Sequence, residues 1–251
     1  MRFFFVFCLL ICSLSAEKKV LFITVPKSGT HLLKKAAEQL CGGRVAWIGA
    51  RQFSQPNLSQ LLSRRRDKYF ISHLFSDSEA ILELDPEQFT KVLLIRDPRD
   101  VILSFRNHLA HDKRWPFSKQ QDIPHYKALP LDNQMAEAMQ YPPFSPAQAL
   151  PIAAKWASDP QFVVIRFEDL IGEKGGGSEA AQGETLRLIA GCMDLNLTDE
   201  KIAQVQNNLF GGTWTFHKGQ IGGWHMAFSL ENLTLFHTLF GSIVQDLGYA
   251  D

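Results

Sequence analysis

Thr24-Val25-Pro26-Lys27-Ser28-Gly29-Thr30-His31 joins two segments of different character. Before it runs Val20-Leu21-Phe22-Ile23, a continuous apolar stretch that reads as a buried strand. After it, Leu32-Leu33-Lys34-Lys35-Ala36-Ala37-Glu38-Gln39-Leu40 has helical spacing. A strand, a tight Ser-Gly loop and a helix aim several backbone N–H groups at one anion. Here Gly29 permits close backbone approach, Ser28 and Thr30 add hydroxyl donors, and Lys27 supplies a point charge. The order is not that of a Walker A loop, because Lys27 precedes Gly29 and no Gly opens the loop. Taken alone, the stretch fits a capped strand-to-helix turn equally well.

The rest of the chain tips the balance. Lys91-Val92-Leu93-Leu94-Ile95 is a second apolar run, ending in Arg96-Asp97-Pro98-Arg99-Asp100 and a helix-like segment that carries Ser104. Ligands of open α/β sheets collect at strand C-termini, so Arg96 and Ser104 are candidates for a second phosphate, with Arg96 offering a bidentate fork. Near the C-terminus, Phe216-His217-Lys218-Gly219-Gln220-Ile221-Gly222-Gly223-Trp224 places glycine amides around one Lys. Strands at about 20–24, 69–72, 91–95 and 162–166, separated by helical patterns, predict an α/β fold. Its sheet is mostly parallel, P-loop-like, and flanked by helices on both faces.

In this order the segments resemble the sulfotransferases that use 3′-phosphoadenosine-5′-phosphosulfate (PAPS), over nearly all of the chain after residue 18. Pro26-Lys27-Ser28-Gly29-Thr30 is similar to the family's 5′-phosphosulfate loop, and Arg96 and Ser104 fall at the spacing of its 3′-phosphate contacts. Lys218-Gly219, with Gly222 and Trp224, resembles the R-K-G-x-x-G-D-W segment, and Ser72-His73-Leu74 the strand end that carries the catalytic base. Val163–Leu170 and the terminal Leu247-Gly248-Tyr249 also have counterparts. The resemblance implies sulfuryl transfer from PAPS to a hydroxyl or amine acceptor, without a metal. Lys27 stabilises the leaving group and His73 acts as general base. Lys27, Ser28, Gly29, Thr30, His31, Arg96, Ser104, His217, Lys218 and Gly219 hold the nucleotide, with Phe210 against adenine. The acceptor is a small molecule or a carbohydrate.

The chain departs from the family pattern at several positions. Ile71 stands where a Lys is common, His31-Leu32 where an aromatic follows Gly-Thr, His217 where Arg is usual, Gly223 for Asp, and Phe167 for Tyr. These departures keep open a PAP/PAPS-binding protein of the same fold that has lost turnover. A P-loop kinase-like phosphotransferase is the remaining alternative; the loop order and the lack of a clear Mg²⁺-binding carboxylate beyond Asp97 count against it.

With 251 residues, 45% of them hydrophobic, residues 17–251 form one domain. Lys plus Arg and Asp plus Glu are 26 each, which argues against nucleic-acid binding. Arg64-Arg65-Arg66 reads as a solvated helix end. Residues from about 110 to 160, rich in Pro and aromatics, read as an irregular substrate wall or lid. Glu173-Lys174-Gly175-Gly176-Gly177-Ser178 reads as a flexible connector. Arg2 followed by the apolar Phe3–Leu14 and the small Ser15-Ala16 reads as a signal peptide over 1–16. That run is shorter than the roughly 20 residues of a spanning helix. The expectation is a secretory or extracytoplasmic protein with no stable span after cleavage; the rivals are an uncleaved anchor or a cytoplasmic protein. Cys41 and Cys192 would remain, read as two buried free thiols, with a pairing in an oxidising compartment as the alternative.

Overall fold

The computed structural model describes residues 17–74, 79–111, 122–140, 146–212 and 219–250. The signal-peptide stretch, His217 and Lys218 therefore lie outside the described residues.

Five strands build one sheet: β1 (Lys19–Thr24), β2 (Ala46–Trp47), β3 (Tyr69–His73), β4 (Phe89–Ile95) and β5 (Phe162–Arg166). Their order is β2-β3-β1-β4-β5 and every pairing is parallel. The short edge strand β2 has no periodic signal in the sequence and is held by backbone pairing. Ala46 lies opposite Phe70 and Trp47 opposite Ile71, while the Ser72 hydroxyl donates to the Ile48 carbonyl at 2.9 Å.

Strand periodicity sorts the apolar residues onto two faces. Val20, Phe22, Ile71, Val92 and Leu94 lie in one core with Leu33, Ala36, Ala37 and Leu40 of the helix Thr30–Cys41. Helices Glu179–Cys192 and Asp199–Leu209 complete that layer. Leu21, Ile23, Phe70, Leu93 and Ile95 lie in the other core, with Val101, Ile102 and Phe105 of the helix Pro98–His111 and with the helices Leu131–Gln140, Pro146–Ala157 and Leu230–Phe240. Both faces are covered, as a parallel sheet requires.

Two expectations are corrected here. The described parts of 110–160 are helical, not irregular: Asp122–Ala128, Leu131–Gln140 and Pro146–Ala157. Tyr126, Met135, Met139 and Trp156 are buried in the core, and the Tyr126 hydroxyl donates to the Gln134 carbonyl at 2.6 Å. The prolines obscure the periodicity, but Pro146 occupies a first helical turn, where its missing N–H costs nothing. Of the aromatics noted there, Trp115, Phe117, Tyr141 and Phe144 lie outside the described residues. Gly175 is also more than connector. A Cβ on it would stand 2.6 Å from the Gly219 carbonyl oxygen, and that carbonyl's neighbour Ile221 donates its N–H to Gly175 O at 3.0 Å. The glycine turn is thus a platform under residues 219–221. Cys41 and Cys192 are half-buried free thiols.

Candidate active site

The strand order changes direction around β1: the chain leaves β1 toward β2 and β3, then crosses to β4 on the other side. A crevice opens at such a switch point, beyond the strand C-termini. Parity then decides which side chains enter it. Thr24, His73 and Arg96 each continue, two residues on, the set that buries Phe22, Ile71 and Leu94 under the helix Thr30–Cys41.

The loop after β1 is a Pro-Lys turn. Ser28 N–H donates to Val25 O at 3.0 Å, and Lys27 has φ of 73°. Pro at the second position and a positive φ at the third are the pattern of a type II turn, whose third position ordinarily takes Gly. Gly29, at φ 109°, follows because a Cβ there would stand 2.6 Å from the Phe167 ring. The Ser28 hydroxyl also donates to Val25 O, at 2.7 Å. Both donors of Ser28 therefore close the turn, and its expected part as a hydroxyl donor to an anion is taken up inside the loop. The amides of Gly29, Thr30 and His31 have no acceptor among the described residues, as at any helix start. They are donors left over at the helix head.

His73 lies opposite Thr24 in the sheet register and meets the head of the helix. Its Nδ1 is 3.1 Å from Thr24 Oγ1 and 3.2 Å from Thr30 Oγ1, and the two hydroxyls are 2.8 Å apart. Burial, then the charges of His31, Lys27 and His108, push the imidazole down to about 3. His31 is also lowered, by burial and by Lys27 and Lys34. Both rings meet Trp47, which belongs to no motif in the sequence. It is stacked with His31 at 6.4 Å between ring centres and edge-on to His73 at 5.0 Å.

The lowered His73 makes a prediction for stability. The unfolded chain takes up a proton near 6.5 that the native ring refuses until about 3. Stability is unaffected above 6.5 and falls as pH drops from 6.5 toward 3, since the unfolded state binds more protons there. Thermal melts across that window should show a steeper loss for the wild type than for His73→Asn; parallel curves would contradict the burial of a neutral ring.

Arg96 closes the other side of the crevice. It is 9% exposed, stacked at 4.1 Å on the Phe167 ring, and donates to Gln220 O at 2.9 Å and Lys27 O at 3.5 Å. Among the described residues its buried Nε has no partner, so the guanidinium retains hydrogen-bonding capacity. Asp100, 1% exposed, pairs with Arg96 at 3.5 Å and accepts the N–H groups of Gly222 (2.8 Å) and Trp224 (3.0 Å). One carboxylate thereby fixes both the Arg and the glycine segment. At Gly223 a Cβ would stand 3.3 Å from the Leu103 side chain and in ordinary contact, 3.6 Å, with Asp100 Oδ1. Ser104 is one turn after Asp100 on the same helical side. Gly219 lies on the platform described above. Phe210 is half-buried against the core beneath the first helix, where Lys35 Nζ donates to the carbonyls of Leu209 and Gly211 on either side of it.

The C-terminus braces this corner. Arg99 holds Asp97 through Nε at 3.0 Å and Nη2 at 2.8 Å, and stacks on Trp224 at 3.8 Å. Glu168 accepts from Asp97 N–H and from the Tyr249 hydroxyl, both at 2.9 Å. Burial raises the Glu168 carboxyl and the Tyr249 phenol. Gly248 holds φ of 73°, left-handed backbone that glycine adopts without strain. The structure thus gathers Lys27, Gly29, Thr30, His31, His73 and Arg96 around one crevice. The contributors missed from sequence are Thr24, Trp47, Asp100 and Glu168.

The sequence matches no protein-family model and no curated protein. The fold does have solved counterparts. It is similar to a mouse sulfotransferase, SULT7A1, complexed with PAP, at 14% identity and a TM-score of 0.64, over 91% of this chain and 85% of the other. It is similar to retinol dehydratase in complex with retinol and PAP, at 15% identity and 0.60, over 94% and 83%. The same enzyme with androsterone and the inactive cofactor PAP gives 15% and 0.57, over 93% and 82%. The α/β fold of this chain is the fold of those proteins.

Proposed function

We propose that the chain is a divergent PAPS-dependent sulfotransferase that moves a sulfuryl group to a hydroxyl or amine of a small-molecule acceptor. The observation that carries this reading is that the helix-head amides after β1, the His73 imidazole and the buried Arg96 guanidinium all meet the same loop. The amides of Gly29, Thr30 and His31 offer one site; the unpartnered buried Nε of Arg96 marks the other. Two sites are what a nucleotide phosphorylated at both 3′ and 5′ positions needs. The retinol and androsterone complexes of retinol dehydratase support a small apolar acceptor. Secretion by way of residues 1–16 is part of the proposal.

Bound PAPS supplies an activated sulfuryl group and a dianionic leaving group. Lys27 and the loop amides neutralise the charge that builds on the leaving oxygen. Arg96, Ser104 and the Lys218-Gly219 segment hold the 3′-phosphate, with His217 beside them; Phe210 backs the adenine. His73 takes the acceptor proton as the new O–S bond forms. At about 3 the bare imidazole is too weak a base for neutral pH. Its depression comes from burial and from cations around it, and arriving phosphates oppose the cationic part. The base therefore strengthens when the donor is in place.

Isothermal titration should show PAP binding more tightly than ATP or adenosine 5′-phosphate. Arg96→Ala should cost PAP about 10- to 100-fold and adenosine 5′-phosphate little. An unchanged preference for the 3′-phosphorylated nucleotide in Arg96→Ala would remove the 3′ site, and a preference for ATP would remove the reading.

A further inference from the structure

The edge strand β5 runs beside a second concavity. A cleft of about 370 Å³ opens there, within the roughly 300–1,000 Å³ of small-molecule sites. Much of its surface is apolar: Ile95 of β4, Val164 of β5, Leu188 of the helix Glu179–Cys192, and Leu247. Leu188 is 45% exposed, whereas Leu186 and Ile189 on the same helix are fully buried. In the sheet, β5 lies two strands from β1, about 10 Å at ordinary strand spacing. No residue of the nucleotide or base set lines this cleft, so it is separate from the candidate active site.

Four polar side chains line it: Arg166, Asp169, Thr185 and Asp246. The Arg166 guanidinium is engaged within the protein, donating to the Leu247 carbonyl at 2.9 Å and stacking on the Tyr249 ring at 4.5 Å. Among the described residues no ion pair joins it to either carboxylate. Asp246 accepts the Ser242 hydroxyl through one oxygen, at 2.9 Å. The Asp169 carboxylate has no hydrogen-bond or ionic partner among the described residues. Thr185 is the independent sign of a ligand. It is only 8% exposed, yet its hydroxyl has no partner there either. A helical threonine can bond the carbonyl one turn back, as Thr234 and Thr238 do at 2.9 and 2.8 Å. Thr185 does not, and a buried hydroxyl left unpaired is costly.

Two carboxylates and a hydroxyl oxygen thus share an apolar cleft whose one cation is turned to Leu247 and Tyr249. Apolar walls strengthen the field of the carboxylates, and a carboxylate or phosphate ligand would meet like charge. The complementary group is positive and rich in N–H; an ammonium carries three donors and no acceptor. We propose that this cleft binds a primary amine on an apolar body, its ammonium held by Asp169, Asp246 and Thr185 and its hydrocarbon against Ile95, Val164, Leu188 and Leu247. The inference does not rest on the sulfotransferase reading, since it uses none of the residues assigned to nucleotide or proton transfer.

The test uses the full chain labelled with ¹⁵N and n-octylamine as the probe, at neutral pH, where the amine is charged. Backbone amide shifts locate the site and titration calorimetry gives the affinity. Expected is saturable, sub-millimolar binding with shifts at Val164, Thr185, Leu188 and Leu247. Octanoate should not bind there. Octyltrimethylammonium keeps the charge but lacks N–H donors, and should bind about 10-fold more weakly. Asp169→Asn should weaken octylamine about 10- to 100-fold and Thr185→Val about 3- to 10-fold. Asp169 is half-buried and unpaired among the described residues, so its substitution leaves the fold intact; should Thr185→Val not fold, Asp169→Asn decides. Four results would each overturn the site: octanoate binding as well as octylamine, unchanged octylamine affinity in Asp169→Asn, shifts confined to the crevice around Trp47 and His73, or no saturation by about 10 mM.

Discussion

His73→Ala is expected to lower sulfuryl transfer by about 10²- to 10⁴-fold, the usual worth of a positioned general base, while the protein stays folded and binds PAP. Folding survives because the two threonine hydroxyls beside the ring keep partners. The hydroxyls of Thr24 and Thr30, 2.8 Å apart, still bond each other, and Thr24 retains the Ser72 carbonyl at 3.2 Å. Removing the ring also removes the acid sensitivity that it imposes below 6.5. Transfer from labelled PAPS to a panel of phenols, aliphatic alcohols and amines measures the effect. Added imidazole should return part of the rate, since the space left at the end of β3 opens beside Trp47. A variant that transfers at the wild-type rate would show that another group takes the proton.

The sheet was legible because its strands are buried on both faces. Continuous apolar runs such as Leu93-Leu94-Ile95 and Val20–Ile23 announce a parallel sheet without any alternation to decode. Strand β2 was not, because two residues held by backbone pairing leave no pattern. The helices after residue 120 were masked by proline, which signals loop in isolation and is tolerated at Pro146 because of where it falls in the turn.

The site divided along the same line. Residues that advertise chemistry by type and order, such as Lys27 and His73, could be named from the chain. Those that act by where the fold carries them could not. Asp100 looks like an ordinary first-turn carboxylate, yet it is buried and accepts two amides from a segment 122 and 124 residues away. Glu168 likewise joins Asp97 to Tyr249 across the sheet ends. Thr24 was readable in principle: strand parity puts it on the face of Phe22, and only a hydrogen-bonded group belongs at the inner end of such a row. Gly29 drew attention as a phosphate-loop residue, but the structure adds a plainer requirement, the Phe167 ring 2.6 Å from its missing Cβ.

Lys27→Gly should move stability and activity in opposite directions. Lys27 holds φ of 73° at a turn position that Gly occupies without strain. A left-handed residue with a side chain costs about 1–2 kcal/mol, against roughly 0.5–1 kcal/mol for the extra freedom Gly brings to the unfolded chain. Relief of the strain should leave a gain of up to about 1.5 kcal/mol, a Tm increase of a few degrees for a chain of this size. The turn closes without the Lys side chain: Ser28 makes two bonds to Val25 O, and Arg96 reaches the Lys27 carbonyl, which Gly also has. The rate should nevertheless fall by about 10²- to 10³-fold, as when one donor is withdrawn from a developing oxyanion, because the charge beside the bond to sulfur is gone. Strain retained at a position where a commoner residue would relieve it points to a side chain kept for chemistry. A variant that loses stability, or one that gains it and keeps full transfer, would assign Lys27 to the turn and not to the reaction.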